Sequence, residues 1–140
     1  MKHTILSFFI ITTFFSGNAQ QEKTISSYVL IVQPIVVQND DGENPASMAL
    51  PEKLVDGSYE KAGVDFRFLE PIFYNSTKAR DGLINLDEIV KNAQKEGILR
   101  GQEDMVNMFF VNAVDGKSGP LGRGMMGGNL TFIALGENAE

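Results

Sequence analysis

The chain has 140 residues, enough for one domain at most, and its 12 basic and 18 acidic residues give a formal net charge of −6. This acidic balance argues against nucleic acid or an anionic membrane as a partner. Cysteine is absent and the single histidine is His3, so the rest of the chain lacks the usual zinc ligands and cannot form a Ser-His or Cys-His nucleophile pair.

The first residues have the pattern of a secretory signal peptide. A positive residue, Lys2, precedes an apolar run from Ile5 to Phe15, and the small-residue segment Ser16–Ala19 follows. The apolar run is about half of what a membrane-spanning helix needs. We therefore expect cleavage after Ala19, which removes residues 1–19 and leaves a polar leader at residues 20–27. The product is expected to be secreted or periplasmic, without a membrane partner.

Two strands and a helix are predicted in the first half of the mature chain. Tyr28–Gln38 is rich in β-branched residues and predicts a strand, in which Pro34 indicates an edge position or a bulge. After the turn-rich acidic segment Asn39–Pro45, the apolar spacing of Pro51–Ala62 predicts a helix. The alternation in Val64–Leu69 predicts a half-buried strand.

A second helix and a buried strand are predicted further along. Residues 70–82 show no regular pattern, whereas Asn85 and Glu88 have the spacing of a capping box that opens a helix running to about Glu96. Val106–Val114 is apolar with little polar alternation, which is typical of a strand covered on both faces. The alternation of strands and helices predicts right-handed crossovers and parallel pairing.

The predicted fold class is α+β: an open, mixed and mainly parallel sheet of three or four strands with two helices, in one domain spanning residues 28–140. Two helices can cover one face of a small sheet but hardly both. The apolar strand at residues 106–114 is therefore expected to lack a cover. The domain is expected to be cut short, with Glu137–Glu140 beginning another helix.

Six glycines crowd the segment from Gly116 to Gly128. Gly116-Lys117-Ser118 follows a buried strand as a phosphate-binding loop would, but Val111 stands where such a loop needs its first glycine, and no helix follows. The dinucleotide-binding pattern fails for the same lack of a helix. The segment is either an ordinary surface loop or a loop whose glycines let the backbone lie close to a ligand.

Two segments are weak candidates for calcium. Asp81–Glu88 has the glycine, the apolar residue and the closing glutamate of half an EF-hand loop, but Thr77 and Ala79 occupy the first two ligand positions. The capping box explains the same residues better. The acidic segment Asp40–Glu43 is an equally weak alternative.

The element order, the buried strand at Val106–Val111 and the glycine-rich segment that leads into the strand Leu130–Ala134 resemble the metzincin clan of zinc metallopeptidases. In that family such a strand is the antiparallel edge of the sheet and forms the upper rim of the active-site cleft. Extended substrate pairs with it as an added strand. The resemblance implies that a peptide or protein substrate contacts Gly128, Asn129, Leu130, Thr131 and Phe132.

In metzincins the following helix carries H-E-x-x-H-x-x-G-x-x-H, whose histidines bind zinc and whose glutamate is the general base. No position of this chain matches that motif, so no catalytic or zinc-binding residue is assigned. The resemblance implies an incomplete zincin-like N-terminal subdomain, the substrate-binding half of a secreted zinc-dependent peptidase. Zinc would be held only in a longer product, and the 140-residue chain alone is expected to be catalytically inert.

Two other functions are compatible with the same residues. A secreted, non-catalytic module could use Gly116–Gly128 to contact a protein or a glycan, with calcium stabilising its acidic loops. Leu130–Ala134 would then be an ordinary edge strand. A degraded gene product without a present role is the third alternative. The sequence indicates neither a specific substrate nor an oligomeric state.

Overall fold

The computed structural model describes residues 28–49, 59–101, 104–124 and 128–135. The predicted signal peptide, the leader and most of the predicted helix Pro51–Ala62 lie outside these ranges. At the end of that predicted helix the structure has a 3₁₀ turn, Glu60–Ala62. The described part of the chain otherwise contains eight strands and two α-helices.

The strands are β1 (Tyr28–Gln38), β2 (Val64–Phe68), β3 (Ile72–Asn75), β4 (Met105–Val111), β5 (Ala113–Val114), β6 (Lys117–Ser118), β7 (Pro120–Gly124) and β8 (Leu130–Leu135). The helices are α1 (Thr77–Arg80) and α2 (Leu86–Lys95). These bounds confirm the strands predicted at β1, β2, β4 and β8 and the helix predicted at α2. The prediction of an irregular segment at residues 70–82 is wrong, because β3 and α1 lie there. Each has only four residues, too few to show a periodic pattern.

Six of the strands form one mixed sheet in the order β2-β1-β4-β8-β7, with β3 pairing with β1 beyond the end of β2. β1 pairs in parallel with β2, β3 and β4, and β4 pairs in parallel with β8. β7 pairs antiparallel with β8 at one edge. The mixed, mainly parallel sheet is thus confirmed, but the described residues supply six strands where three or four were predicted.

Pro34 lies in the middle of this sheet, so the edge position predicted from it is wrong. β2 ends opposite Val32 and β3 begins opposite Ile35, which leaves Pro34 opposite a gap between the two strands. The N–H of Leu69 donates to the carbonyl of Val32 at 2.9 Å, so the backbone groups of Val32 face the side of β1 on which β2 and β3 lie. By alternation, the backbone groups of Pro34 face the same side. Proline is therefore tolerated at this position, because the N–H that it lacks would face a gap with no strand to accept it.

Two buried amide side chains satisfy backbone groups that the sheet leaves unpaired. Gln33, 3 % exposed, donates from Nε2 to the carbonyls of Pro34 at 3.0 Å and Glu70 at 2.9 Å. Asn107, 1 % exposed, accepts from the N–H of Arg100 at 2.9 Å and donates to its carbonyl at 2.8 Å. Both amides thus fix connecting segments to the sheet through hydrogen bonds to backbone groups.

Both helices pack on one face of the sheet. The side chain of Asn85 accepts a hydrogen bond from the N–H of Glu88 at 2.8 Å, so α2 begins where the capping pattern predicts. Leu86, Ile89 and Ala93 of α2 and Ala79 of α1 are buried against the strands. The residues of the sheet and its connections that complete this cluster are Ile35, Val37, Tyr74, Phe109, Val111, Val114, Phe132 and Ala134.

The opposite face of the sheet also has a buried cluster. Phe110 is fully buried there beside Val36, and Ala46, which follows the acidic turn, packs with both. Successive residues of a strand point to opposite faces, so Phe109 and Phe110 are buried on different sides of β4. The prediction that this strand lacks a cover is therefore wrong at Phe110. The predicted truncation of the domain concerns residues outside the described ranges and stays a prediction.

Candidate functional site

The edge strand β7 has the sequence Pro-Leu-Gly-Arg-Gly, which has little intrinsic preference for a strand. Its strand conformation depends on the antiparallel ladder with β8, in which five residue pairs run from Pro120 opposite Leu135 to Gly124 opposite Thr131. No strand among the described residues pairs with the outer side of β7. Within the described part of the chain, β7 is therefore an open antiparallel edge on a mainly parallel sheet.

Backbone alternation decides which polar groups of β7 face β8. The N–H of Asn107 donates to the carbonyl of Asn129 at 2.8 Å, so Asn129 directs its backbone groups towards β4. By alternation Phe132 directs its groups towards β7, where its register partner is Arg123. The hydroxyl of Thr131 lies 3.4 Å from the carbonyl oxygen of Arg123, which agrees with that carbonyl pointing towards β8. Arg123 thus uses its backbone groups inside the sheet.

The outward-facing N–H groups of β7 consequently belong to Gly122 and Gly124. Both glycines are exposed, neither has a positive φ, and a Cβ added to either would meet no atom within 4 Å. Neither the backbone conformation nor packing requires glycine at these positions. The backbone of Pro120 also faces away from β8, but proline has no N–H to donate. A glycine inside a strand often marks the close approach of a ligand or of another backbone.

A short hairpin, β5–β6, stands beside this edge. Its turn is Asp115-Gly116, with φ angles of 50° and 71°, as a two-residue type I′ turn requires. The strand predicted at 106–114 is therefore interrupted after Val111, and the predicted glycine loop 116–128 contains β6 and β7. The signal missed in the sequence is the Asp-Gly dipeptide, which predicts a hairpin.

An ion pair joins the hairpin to the edge strand. Arg123 donates from Nη1 to Oδ2 of Asp115, and the two side chains are 59 % and 43 % exposed. The side chain of Arg123 projects to the helix-bearing face of the sheet, because its register partner Phe132 belongs to the buried cluster on that face. Val114 of the hairpin belongs to the same cluster, so the hairpin lies on that face too. An ion pair this exposed contributes about 0–1 kcal/mol. Arg123 can therefore exchange Asp115 for another carboxylate at little cost.

The residues predicted to bind substrate do not form the edge of the sheet. β8 lies between β4 and β7 and pairs with both, so the prediction that Leu130–Ala134 is an edge strand is wrong. The reason is that the chain forms the edge with β7, before it enters the sheet as β8. Phe132 is fully buried and stacks on Phe109, with ring centroids 4.7 Å apart.

The other predicted substrate-binding residues lie at the start of β8. Leu130 and Thr131 are half-buried, and Leu130 packs against the helix-side cluster. Gly128 and Asn129 are exposed and precede the strand. Asn129 nevertheless uses its carbonyl in the bond to β4. The structure therefore brings these five residues together along one interior strand and its approach, and substrate contact by them stays a prediction.

A second polar cluster lies where β1 and β3 end. Asp40 and Thr77 exchange two hydrogen bonds of 3.0 Å, each from the backbone N–H of one to the side chain of the other. Oδ1 of Asp41 accepts from the N–H of Glu43 at 3.0 Å. The carboxylates thus hold a turn against α1, and the described residues contain no group of three or more histidine, cysteine, aspartate or glutamate side chains that could hold a metal ion. Calcium binding stays a prediction.

The Arg80–Asp81 pair fixes the end of α1. Nε of Arg80 lies 2.7 Å from Oδ1 of Asp81, and Nη1 donates to the carbonyl of Asn44 at 3.1 Å. The carbonyl of Arg80 accepts from the N–H of Asn112 at 2.8 Å, which ties α1 to the end of β4. Hydrogen bonding from the Arg80 guanidinium holds the pKa of Asp81 below its ordinary value of 3.8.

Acidification is expected to weaken the fold through Asp81. The pKa of this carboxyl is lower in the folded than in the unfolded chain, so its contribution is complete above the unfolded value of about 4 and is lost as the pH falls through the folded pKa. Replacing Asp81 with asparagine should lower Tm at pH 7 and should make Tm fall less steeply as the pH drops below about 5. Thermal melts of wild type, Asp81→Asn and the exposed control Asp65→Asn measure this. Parallel curves for wild type and Asp81→Asn would contradict it.

Zinc, which the metzincin resemblance implies, does not fit the described residues, because they contain neither histidine nor cysteine. No helix in the described ranges is long and apolar enough to cross a membrane.

Comparison of the chain with models of known families, with curated proteins and with solved structures finds no match. The open edge of β7 and its hairpin are therefore the features from which a function can be argued.

Proposed function

We propose that the protein binds an extended peptide segment as an additional antiparallel strand along β7. One observation carries the proposal: the outward N–H groups of this edge belong to Gly122 and Gly124, two glycines that neither φ nor packing requires. In strand addition the main-chain hydrogen bonds supply the affinity. Strand side chains project above and below the sheet, so glycine at these positions leaves open space beside each peptide side chain that lies opposite.

The length of the open edge sets the strength of such binding. Peptide residues opposite Gly122 and Gly124 would each exchange two main-chain hydrogen bonds with β7. Pro120 has no N–H and limits the pairing on its side. Four bonds of about 1 kcal/mol each correspond to a Kd near 1 mM. The site therefore suits a short segment of about five residues, bound transiently unless side chains add affinity.

In a longer product the bound peptide would be the substrate of a secreted zinc-dependent peptidase. This extension is supported by the antiparallel strand β7 at the edge of a mainly parallel sheet. The metzincin resemblance implies this arrangement, although β7 and not β8 occupies that place. The described residues would bind and orient the peptide, and the zinc ligands would belong to the additional residues of the longer product. The chain alone is accordingly expected to leave the peptide intact.

A non-catalytic peptide-binding module is the second candidate. It is favoured because the groups of β7 that would bind the peptide all lie within the described residues, and none of them needs a metal ion. Sequencing the native transcript beyond the codon for Glu140 separates the two. An open frame that continues into H-E-x-x-H-x-x-G-x-x-H within a few tens of residues would support the peptidase, and a stop codon after Glu140 would support the module.

Replacing Gly122 with proline is expected to abolish peptide binding without unfolding the protein. The N–H of Gly122 points away from β8, so proline removes an outward donor and leaves the β7–β8 ladder intact. The probe is the capped pentapeptide Thr-Val-Gln-Val-Thr, titrated to several millimolar against ¹⁵N-labelled protein. Wild type should show saturable shifts of the Gly122 and Gly124 amide signals, and Gly122→Pro should show no shift at Gly124.

Two controls make this experiment specific. Gly122→Ala keeps the N–H and should bind the pentapeptide within about threefold of wild type. A peptide N-methylated at both valines loses the bonds to β7, whereas N-methylation of the glutamine, whose N–H points away, should be tolerated. Equal titrations of wild type and Gly122→Pro at equal Tm would contradict strand addition on β7.

A further inference from the structure

We infer that β7 selects peptides with an acidic residue opposite Arg123, and that Asp115 competes within the protein for the same guanidinium. This inference rests on the proposed strand addition and specifies its ligand. The ligand class is an extended segment in which one carboxylate side chain is flanked by two apolar residues.

The register places the central peptide residue beside Arg123. Arg123 directs its backbone groups to β8, so a peptide residue opposite it belongs to a pair without hydrogen bonds between its members. Side chains of such pairs are the closest across two antiparallel strands and lie on the same face. The central side chain of the peptide therefore lies next to the Arg123 guanidinium, on the face that carries the helices.

The charge of this region favours a carboxylate at that place. Between residues 105 and 135 the charged residues are Asp115, Lys117 and Arg123, whereas the whole chain carries a net charge of −6. The edge is thus a formally basic part of an acidic protein. The Arg123 side chain is 59 % exposed, so a peptide carboxylate can reach it from solvent.

Asp115 already shows that a carboxylate fits against Arg123. It is held in the turn of the β5–β6 hairpin with a φ of 50°, and its Oδ2 accepts a hydrogen bond from Arg123. Because this pair is exposed, its loss costs the fold little. A peptide carboxylate would share or replace the contact, and removal of the Asp115 charge would strengthen the attraction of Arg123 for the peptide.

The two flanking positions favour apolar side chains. Peptide residues opposite Gly122 and Gly124 would project to the other face of the sheet, where a Cβ on either glycine would have open space around it. A large side chain across from a glycine covers the exposed backbone of that strand. Valine at these positions in the test peptide fits the requirement.

The test compares three capped peptides, Thr-Val-Glu-Val-Thr and its versions with central glutamine or lysine. For wild type we expect the glutamate peptide to bind about two- to fivefold more tightly than the glutamine peptide, and the lysine peptide to bind most weakly. Arg123→Gln should bring the ratio between glutamate and glutamine peptides to about one. Asp115→Asn should raise that ratio, and it keeps the turn because Asn-Gly is favoured there.

The outcomes separate this inference from the proposed function. If none of the peptides shifts the Gly122 and Gly124 signals, strand addition itself fails. If wild type binds all three equally, or if Arg123→Gln keeps the preference for glutamate, the specificity is overturned and strand addition stands. Analytical ultracentrifugation tests whether a second copy of the chain occupies the edge. Self-association of wild type that is lost in Gly122→Pro would show this and would also overturn the inferred preference for an acidic peptide. Loss of the preference at high salt would support the ion pair.

Discussion

Replacing Phe132 with alanine is expected to lower the free energy of unfolding by about 3–5 kcal/mol. The ring is fully buried on the helix-bearing face of β8, and it stacks on Phe109 with an interplanar angle of 14°. Truncation leaves a cavity that the surrounding strands cannot fill, and it removes the ring contact. The loss is a large part of the stability of an ordinary small domain. Urea denaturation followed by circular dichroism measures it.

The exposed Phe73 is the matched control for this substitution. It lies on β3 and is 53 % exposed, so Phe73→Ala should change the free energy of unfolding by less than about 1 kcal/mol. The comparison also decides between two roles of Phe132. If Phe132→Ala were as stable as wild type yet failed to bind the pentapeptide, the assignment to the core would be wrong and the substrate-binding role implied by the resemblance would be favoured.

Replacing Gly82 with alanine is expected to destabilise the protein by about 2–4 kcal/mol. Gly82 follows α1 with a φ of 66°, and a Cβ there would lie 2.9 Å from the carbonyl oxygen and 3.0 Å from the carbonyl carbon of Ala113. Left-handed backbone costs alanine about 1–2 kcal/mol. The contact with Ala113 adds to this because a backbone atom cannot move aside as the end of a flexible side chain can.

Gly97 provides the control that isolates the contact. It ends α2 with a φ of 71°, close to that of Gly82, but a Cβ there would meet no atom within 4 Å. Gly97→Ala should therefore lose only the conformational part, about 1–2 kcal/mol in the same denaturation assay. Equal losses for the two variants would show that the Ala113 contact relaxes without cost.

The Gly82 contact also links stability to the candidate site. Ala113 begins the hairpin whose turn carries Asp115, the partner of Arg123. In Gly82→Ala the hairpin must shift away from α1 if the protein stays folded. We expect such a shift to weaken the Asp115–Arg123 contact while it leaves the outward N–H groups of Gly122 and Gly124 in place.

Local patterns were sufficient for the longer elements of the fold. The run of β-branched residues at Tyr28–Gln38 and the capping pattern at Asn85 correctly predict β1 and the start of α2. Each pattern encodes the preference of its own segment. β-branched residues favour the extended backbone of a strand, and the capping residue satisfies one of the first N–H groups of a helix. The mainly parallel pairing also follows from the order of these elements.

Short or neighbour-dependent elements could not be predicted in that way. β3 and α1 have four residues each, and Pro120–Gly124 has the composition of a loop. β7 is a strand because β8 offers it an unpaired edge, a property of the assembled sheet that is absent from the segment itself. The sequence wrongly predicts an edge position for Pro34 for a related reason, since the gap between β2 and β3 exists only after both have paired with β1.

By itself, the sequence determined the elements with strong local patterns, the acidic charge and the lack of cysteine and of histidine beyond His3. Only the tertiary structure decided which strand is the edge, and it moved the candidate site from Gly128–Phe132 to Gly122–Gly124. The physical reason is that the hydrophobic pattern of a segment specifies burial but not its neighbours. Exposure of a backbone N–H at an edge depends on which strand lies next to it, and that is settled by the pairing of residues distant in the chain.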